Sequence, residues 1–253
     1  MSYVKSVDSI NSLRSKSCSF SHQGRRLQNE DFYIADDLHG IYILTDGMGG
    51  YKGGGVACRI AANACHDYLI HHREDLDIAD DMLAFIRSKL KEVVVEHPSY
   101  VSMGTTLCCV YMQDDCIHVI HIGDSKIIIV GDLIYQSKDH TYAQQLVDQD
   151  FIQADAYRHH PMRHILTRCL TANTHEKFKA DFRKIPLKTG RNTFFLCSDG
   201  VMETLSELET IQLIIEEQDI HKIIQVVEQQ TLKYSNDNST AIIVGFNYGT
   251  SQI

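Results

Sequence analysis

Ile41-Tyr42-Ile43-Leu44-Thr45-Asp46-Gly47 is an apolar run closed by a carboxylate and a glycine. Its length and its Ile-rich composition read as a buried strand, with Asp46 standing where the rigid sheet meets solvent. The arrangement recurs along the chain. His118–Gly123 leads into Asp124, Thr193–Ser198 leads into Asp199-Gly200, and Asp237-Asn238 stands just before Ser239–Val244. Singly, each such Asp is an ordinary turn residue after a strand. Together they need another account, because four carboxylates from distant parts of a chain converge on one pocket only if something offsets their repulsion. Hard divalent cations do so, and oxygen ligands select Mg²⁺ or Mn²⁺ over zinc. The pattern predicts a multi-metal hydrolase.

Composition narrows the class. The 253 residues suffice for a substantial core, and three prolines with no low-complexity tract leave no candidate interdomain linker, so a single domain over 1–253 is expected. A net charge of -9 argues against nucleic acid, whose phosphates are held by basic patches. Eight cysteines fall without a Cys-x-x-Cys pair, and Cys108, Cys109 and Cys197 lie in strand-like runs where thiols act as small hydrophobes. Reduced thiols and a cytoplasmic location are expected. Met1 to Ser21 is polar, and no run reaches membrane-spanning length.

Around the opening run, residues 31–46 read as a hairpin turning at Asp36-Asp37-Leu38-His39-Gly40, and a Gly-rich stretch from Gly47 to Gly55 opens a helix. Residues 79–96 give a second amphipathic helix with Met82, Phe85, Ile86, Leu90, Val93 and Val94 on one face. Three or four strands fit between Thr105 and Tyr135. The stretch from His140 to Asn173 is polar and rich in His and Arg, and reads as short helices and loops covering the pocket. Strands return near 181–186 and 193–198. Two helices at about 206–217 and 219–233 carry Leu208, Ile211, Ile214, Ile215, Ile223, Ile224 and Val227 as a core stripe, and a last strand spans 239–246. Hairpin groups interrupted by paired helices predict a layered α+β arrangement of antiparallel sheets with helices outside.

Ahead of the hairpin stands Gly24-Arg25-Arg26-Leu27-Gln28-Asn29-Glu30-Asp31. Such a cluster is most often a solvated turn. Beside a carboxylate array it reads differently, since a guanidinium offers a planar donor fork to a phosphate, and the acidic pair can serve metal or its water.

With these segments in register the chain resembles the metal-dependent protein phosphatases of the type 2C serine/threonine class. The motifs are Gly-x-Arg with Asn-Glu-Asp (24–31), Asp-Gly-Met-Gly-Gly (46–50), Met-Gly-Thr-Thr (103–106), Ile-Gly-Asp-Ser (122–125), Lys-Asp-His (138–140), Ser-Asp-Gly (198–200) and Asp-Asn-x-Thr (237–240). Any one is a weak signal, but seven in order are strong. His160-Pro161 with Arg163 and Leu166-Thr167-Arg168 resembles the flap of the bacterial branch, as does Met48.

The resemblance implies a four-layer sandwich, two central antiparallel sheets flanked by helices, with the metals at one end. It implies that Asp46 bridges two Mn²⁺ or Mg²⁺ ions, that the Gly47 carbonyl binds one of them, and that Asp199 and Asp237 complete the first site. Asp124 joins Asp199 at a third, weaker ion. Glu30 and Asp31 match the acidic pair, one as metal ligand and the other holding a metal-bound water, with the two roles not separable in the sequence. Arg26 matches the phosphate-binding residue, and Asn238 supports Asp237. Arg158, Arg163 and Arg168 lie in the flap, near 140–172, where loops on a rigid scaffold carry specificity. The implied reaction is direct in-line attack on phosphorus by a hydroxide bridging the metals, without a covalent phosphoenzyme. The implied partners are phosphorylated protein substrates of a serine/threonine kinase, acted on by a monomer.

Departures from the family pattern touch other positions. Met48 stands where animal relatives have a proposed general-acid His, so protonation of the leaving group must come from elsewhere. Tyr51 and Gly55 replace His and Glu, Lys126 replaces an Arg, and Gly190-Arg191 stands for Gly-Asp. None removes a metal ligand. His71-His72 suits a helix C-terminus, and His159-His160 and His164 lie in the flap without zinc-like spacing. Two alternatives stay open: a phosphatase for phosphotyrosine or small phosphate esters, and a pseudophosphatase or phosphoprotein-binding scaffold. The complete Asp46, Asp199 and Asp237 set counts against the second.

Overall fold

The computed structural model describes residues 15–48, 53–73, 78–172 and 178–249. Residues 1–14 lie outside it, as do Gly49, Gly50 and Tyr51 of the Gly-rich stretch and Asn173 at the end of the flap segment. Two five-stranded antiparallel sheets form its centre. One runs in the order β1 (Lys16–His22), β13 (Ser239–Tyr248), β12 (Gly190–Cys197), β8 (Lys126–Val130), β9 (Ile134–Gln136). The other runs β11 (Asp181–Pro186), β7 (Cys116–Ile122), β6 (Leu107–Gln113), β3 (Ile41–Thr45), β2 (Phe32–Asp36). A small third sheet joins β10 (Leu170–Thr171), β5 (Gly104–Thr105) and β4 (Gly47–Met48).

Strand alternation creates three cores. In β3, Tyr42 and Leu44, with their β6 neighbours Cys108 and Val110, face the other large sheet, where they meet Phe194, Leu196, Ile242 and Val244. Ile41 and Ile43 face outward, against α1 (Gly54–His72) and α2 (Ile78–Glu96). The helical spacing of Ala57, Ala61, Cys65 and Leu69 gives α1 a buried face of small side chains, which lets it sit close on the sheet. On the opposite side Phe195, Cys197 and Ile243 pack against α5 (Glu207–Glu216) and α6 (Ile220–Tyr234). The order is helix, sheet, sheet, helix, as expected. α5 starts on a capping box between Ser206 and Glu209, and α6 on Asp219, whose side chain accepts from the His221 N–H at 2.9 Å.

Three details differ from the sequence reading. Strand β1 falls partly in the stretch read only as polar; its sole deeply buried apolar side chain is Phe20. Leu208 and Ile215 are exposed, because α5 buries Thr210, Ile211 and Ile214 while those two share another face one heptad apart. Asp199 opens a short helix, α4 (Asp199–Met202), directly after β12. The flap segment holds α3 (Tyr142–Asp148), a 3-10 turn at Ala154–His159 and β10. All eight cysteines are free thiols, and no helix among the described residues is long and apolar enough to cross a membrane.

Candidate active site

The ends of β3, β7, β12 and β13 open on one cavity of about 740 Å³. Glu30, Asp46, Asp124, Asp199 and Asp237 all line it, with Arg25, Arg26, Met48, Thr106, His164, Glu203 and Asn238. Residues 211 positions apart in sequence meet here, as Arg26 and Asp237 do.

Each carboxylate has its own local support. The Asp46 N–H donates to Thr106 Oγ1 at 2.9 Å, while the Thr106 N–H donates to the Asp46 carbonyl at 2.9 Å. This double link fixes the end of β3 to the start of β6. The Gly residues that follow are dictated by crowding: a Cβ on Gly47 would stand 2.5 Å from the Gly54 carbonyl carbon, and one on Gly54 would stand 2.7 Å from Glu30 Oε1. Helix α1 thus begins pressed against Glu30 and Gly47. Asn238 is the knot of the far side. Its Nδ2 donates to the carbonyls of Gln23 and Gln28 at 2.7 and 2.8 Å, and its Oδ1 accepts from the Glu30 N–H at 2.9 Å. The loop bearing Arg26 and Glu30 is therefore hung on the residue beside Asp237.

Glu30 and Asp31, inseparable by sequence, part company here. Glu30 lines the cavity, whereas Asp31 is buried behind it. Ser198 Oγ donates to Asp31 Oδ2 at 2.8 Å, and Oδ1 is buried with no hydrogen-bond partner. Burial, then the charges of Asp199 and Asp237, push the Asp31 carboxyl up to about 7, against the pull of Ser198 and Thr240. Burial also raises Asp46, with Asp31, Asp199, Asp124 and Asp237 adding to it, and raises Asp124, with Asp199 next in effect. So much negative charge in one place, with a buried acceptor left unmatched, fits bound divalent cations: an all-oxygen donor set is what Mg²⁺ and Mn²⁺ take.

Arg26 does not stand free in the cavity. Its Nε and one terminal nitrogen donate to the two oxygens of Asp237 at 2.7 and 2.5 Å. Of the flap arginines, Arg163 approaches Glu203 at 3.8 Å and Arg158 donates to the Met202 carbonyl at 3.4 Å; neither lines the cavity itself, but both line a smaller adjoining pocket that shares Asp124, His164 and Asp199 with it. Arg168 is elsewhere. It donates to Asp181 Oδ1 at 3.1 Å and to the Lys179 carbonyl at 3.4 Å, and does not line the cavity, so the structure makes it a brace between the flap and β11. His164, read only as a flap residue, turns its Nδ1 to 3.6 Å from Asp199 Oδ2. Neither it nor Glu203 follows an apolar strand, which was the signal that marked the aspartates. Lys126 is buried and ion-paired with Asp139 and, at 3.2 Å, Glu207.

Comparison with known proteins places this chain in a family. The chain is 28% identical over 244 residues to the serine/threonine protein phosphatase PstP of Mycobacterium tuberculosis, covering 90% of this chain but only 44% of that protein's length. It is 27% identical over 235 residues to the serine/threonine phosphatase stp of Listeria innocua, covering 88% and 92%. Among solved structures, the catalytic domain of PstP in complex with two manganese ions superposes with a TM-score of 0.78 at 25% identity, covering 93% of this chain and 99% of that one. Stp1 from Staphylococcus aureus gives 0.79 at 23% identity over 93% and 95%, a likeness of fold. Residues 19–235 match the family model "Protein phosphatase 2C", and the chain belongs to that family, in its bacterial-like branch.

Proposed function

We propose that this chain is a metal-dependent phosphatase that hydrolyses phosphoserine and phosphothreonine in proteins, as a monomeric catalytic domain whose 140–172 segment is its flap. The observation that carries the reading is the convergence of Glu30, Asp46, Asp124, Asp199 and Asp237 on one cavity together with Arg26. The names of the relatives support the reaction class.

Asp46, the Gly47 carbonyl, Asp199 and Asp237 would hold two Mn²⁺ or Mg²⁺ ions, with Glu30 beside them and Asp124 joining Asp199 at a weaker third. Bound there, the ions supply positive charge to the phosphoryl oxygens and acidify the attacking water. The protein supplies the rest. Asp31, with one oxygen held by Ser198 and the other buried without a partner, adds a carboxylate beside Glu30. Arg26 would exchange its contact with Asp237 for a phosphate, which offers the same pair of acceptors and whose charge is spread over its equatorial oxygens in the transition state. Thr106 and Asn238 hold the two sides of the cavity in register. A phosphoprotein made by a serine/threonine kinase would lie across the flap, near Arg158 and Arg163.

The test is hydrolysis of a phosphothreonine peptide with Mn²⁺, with EDTA, and by Asp46→Asn. Activity should require the metal and fall by orders of magnitude in the variant while the protein stays folded. Full activity after rigorous chelation would sink the metal mechanism. A folded, Mn²⁺-binding protein with no turnover on any phosphopeptide would favour the scaffold reading.

A further inference from the structure

The β2–β3 turn and the middle of α1 meet at a group of side chains that the cavity does not use. Asp36, the last residue of β2, presents Oδ2 to two imidazoles, His39 Nδ1 at 2.7 Å and His66 Nε2 at 2.8 Å. The three atoms all lie within 4.8 Å of one another. The other Asp36 oxygen accepts from the His39 N–H at 3.0 Å, so the carboxylate is fixed with Oδ2 toward the rings. Asp37, next in sequence, is already engaged by Tyr42 and Ser17. None of the three residues lines the carboxylate cavity; β3 separates them from Asp46 along its whole length.

We propose that Asp36, His39 and His66 form a binding site for one zinc-class divalent cation, distinct from the catalytic metals. Two imidazole nitrogens and one carboxylate oxygen make the donor set that Zn²⁺ takes in three-ligand sites, leaving a fourth position for water. Imidazole favours zinc over magnesium, the reverse of the all-oxygen cavity. Tetrahedral zinc keeps its ligand atoms roughly 3.3–3.5 Å apart. The present contacts open to that by small ring movements, because the cation takes the place of the hydrogens now shared with Oδ2. Each neutral imidazole then carries its proton on the other nitrogen. For His66 this is Nδ1, which has the exposed Asp67 carboxylate 4.0 Å away, beyond hydrogen-bond distance. His39 is 45% exposed, so the open position faces solvent. The effect of the ion is to pin the turn to α1.

A second group of the same composition shows what the first has. In His121, His140 and Asp181, the His140 Nδ1 accepts the Gly123 N–H at 3.1 Å. The ring proton is thereby forced onto Nε2, the atom that faces Asp181, and Arg168 lies 3.3 Å from it. No lone pair is available there for a cation.

The experiment uses the whole chain, stripped with chelator and held in saturating Mg²⁺ so that the carboxylate cavity is filled. After addition of Zn²⁺ and gel filtration, elemental analysis should find one retained equivalent, with a rise in Tm. His66→Ala and His39→Ala should each lose the equivalent and the Tm rise while keeping a cooperative unfolding transition in Mg²⁺; His39 lies in an exposed turn and tolerates the change. Asp46→Asn should retain the zinc. Co²⁺ should give tetrahedral absorption bands in the wild type that the histidine variants lack. Zinc retained equally by both histidine variants, no zinc retained by the wild type, or zinc lost in Asp46→Asn alone would each overturn the proposal.

Discussion

Arg26 places two nitrogens of its guanidinium on the two oxygens of Asp237, so the residue expected to hold phosphate is pre-aligned by a carboxylate of matching shape. Arg26→Ala should therefore raise the KM for a phosphate ester and weaken inhibition by inorganic phosphate. A charge-assisted hydrogen bond contributes about 1.5–3 kcal/mol, roughly ten- to hundredfold in KM. Steady-state kinetics on metal-saturated protein checks this, and an unchanged KM with unchanged phosphate inhibition would leave Arg26 a structural partner of Asp237 only. His118 makes a contrasting case. It is buried, stacks on Tyr111 with centroids 4.6 Å apart, and neither ring nitrogen has a hydrogen-bond partner. Burial, with Lys184 adding to it, holds its pKa down to about 4. A depressed histidine contributes stability that is whole above its unfolded value near 6.5 and drains away as pH falls toward 4. His118→Phe should flatten that acid limb, read as Tm at pH 4.5 and 7, with little change at pH 7. A limb as steep as the wild type's would show that His118 is not protonated on unfolding.

The flap and the buried lysine are matters of elements. Tyr157 in the 3-10 turn donates to Asp139, which pairs with Lys126 on β8, and Lys126 also reaches Glu207 at the start of α5. One cation thus joins the sheet, the flap and a helix. Lys126→Ala leaves Asp139 buried without its countercharge and should cost about 3–5 kcal/mol by urea unfolding; a loss below 1 kcal/mol would mean that water replaces the ammonium. Arg163→Ala acts in the pocket beside the cavity, where Arg163 faces the cavity residue Glu203. It should slow hydrolysis of phosphopeptides and spare small aryl phosphates, and an equal loss on both would assign Arg163 to support of the site. These elements differ in how legible they were. The runs ending in Asp46, Asp124 and Asp199 announced themselves, since long apolar strands are fixed by burial and their terminal carboxylates follow. Strand β1 did not, because an edge strand with only Phe20 in the core has no apolar period to read. The two-residue strands β4, β5 and β10 have no pattern at all; they pair only because the loops around Gly47 and Gly104 are already in place. The roles of His164 and Glu203 at the cavity, like the meeting of Asp36, His39 and His66, depend on contacts between elements, which spacing along one segment does not encode.

At the scale of the molecule, charge and topology set the behaviour. With Asp31 pushed up to about 7 and Asp46 and Asp124 raised as well, the metal-free fold holds protons that the unfolded chain, with ordinary carboxylates, gives up near pH 4. The raised groups cost stability increasingly as pH rises through that window, and a divalent cation relieves the cost by displacing the protons. The gain in Tm on adding Mg²⁺ should therefore be larger at pH 8 than at pH 5.5. Calorimetry at the two pH values checks it, and an equal gain at both would show the carboxylates already ionised without metal. Topology adds a consequence in time. Phe20 on β1 pairs with Ala241 on β13, and the loop carrying Arg26 hangs on Asn238, so the first described strand and the last complete each other. On a ribosome adding ~5–20 residues per second, Phe20 waits roughly 10–45 s for its partner to be made. Until then the growing polypeptide has a sheet edge open to chaperones and no working catalytic centre. On the proposed reading, a translation product that stops short of Asp237 lacks a carboxylate of the metal site and is inert as well as unfinished, so phosphatase activity would belong only to copies whose synthesis has passed that point.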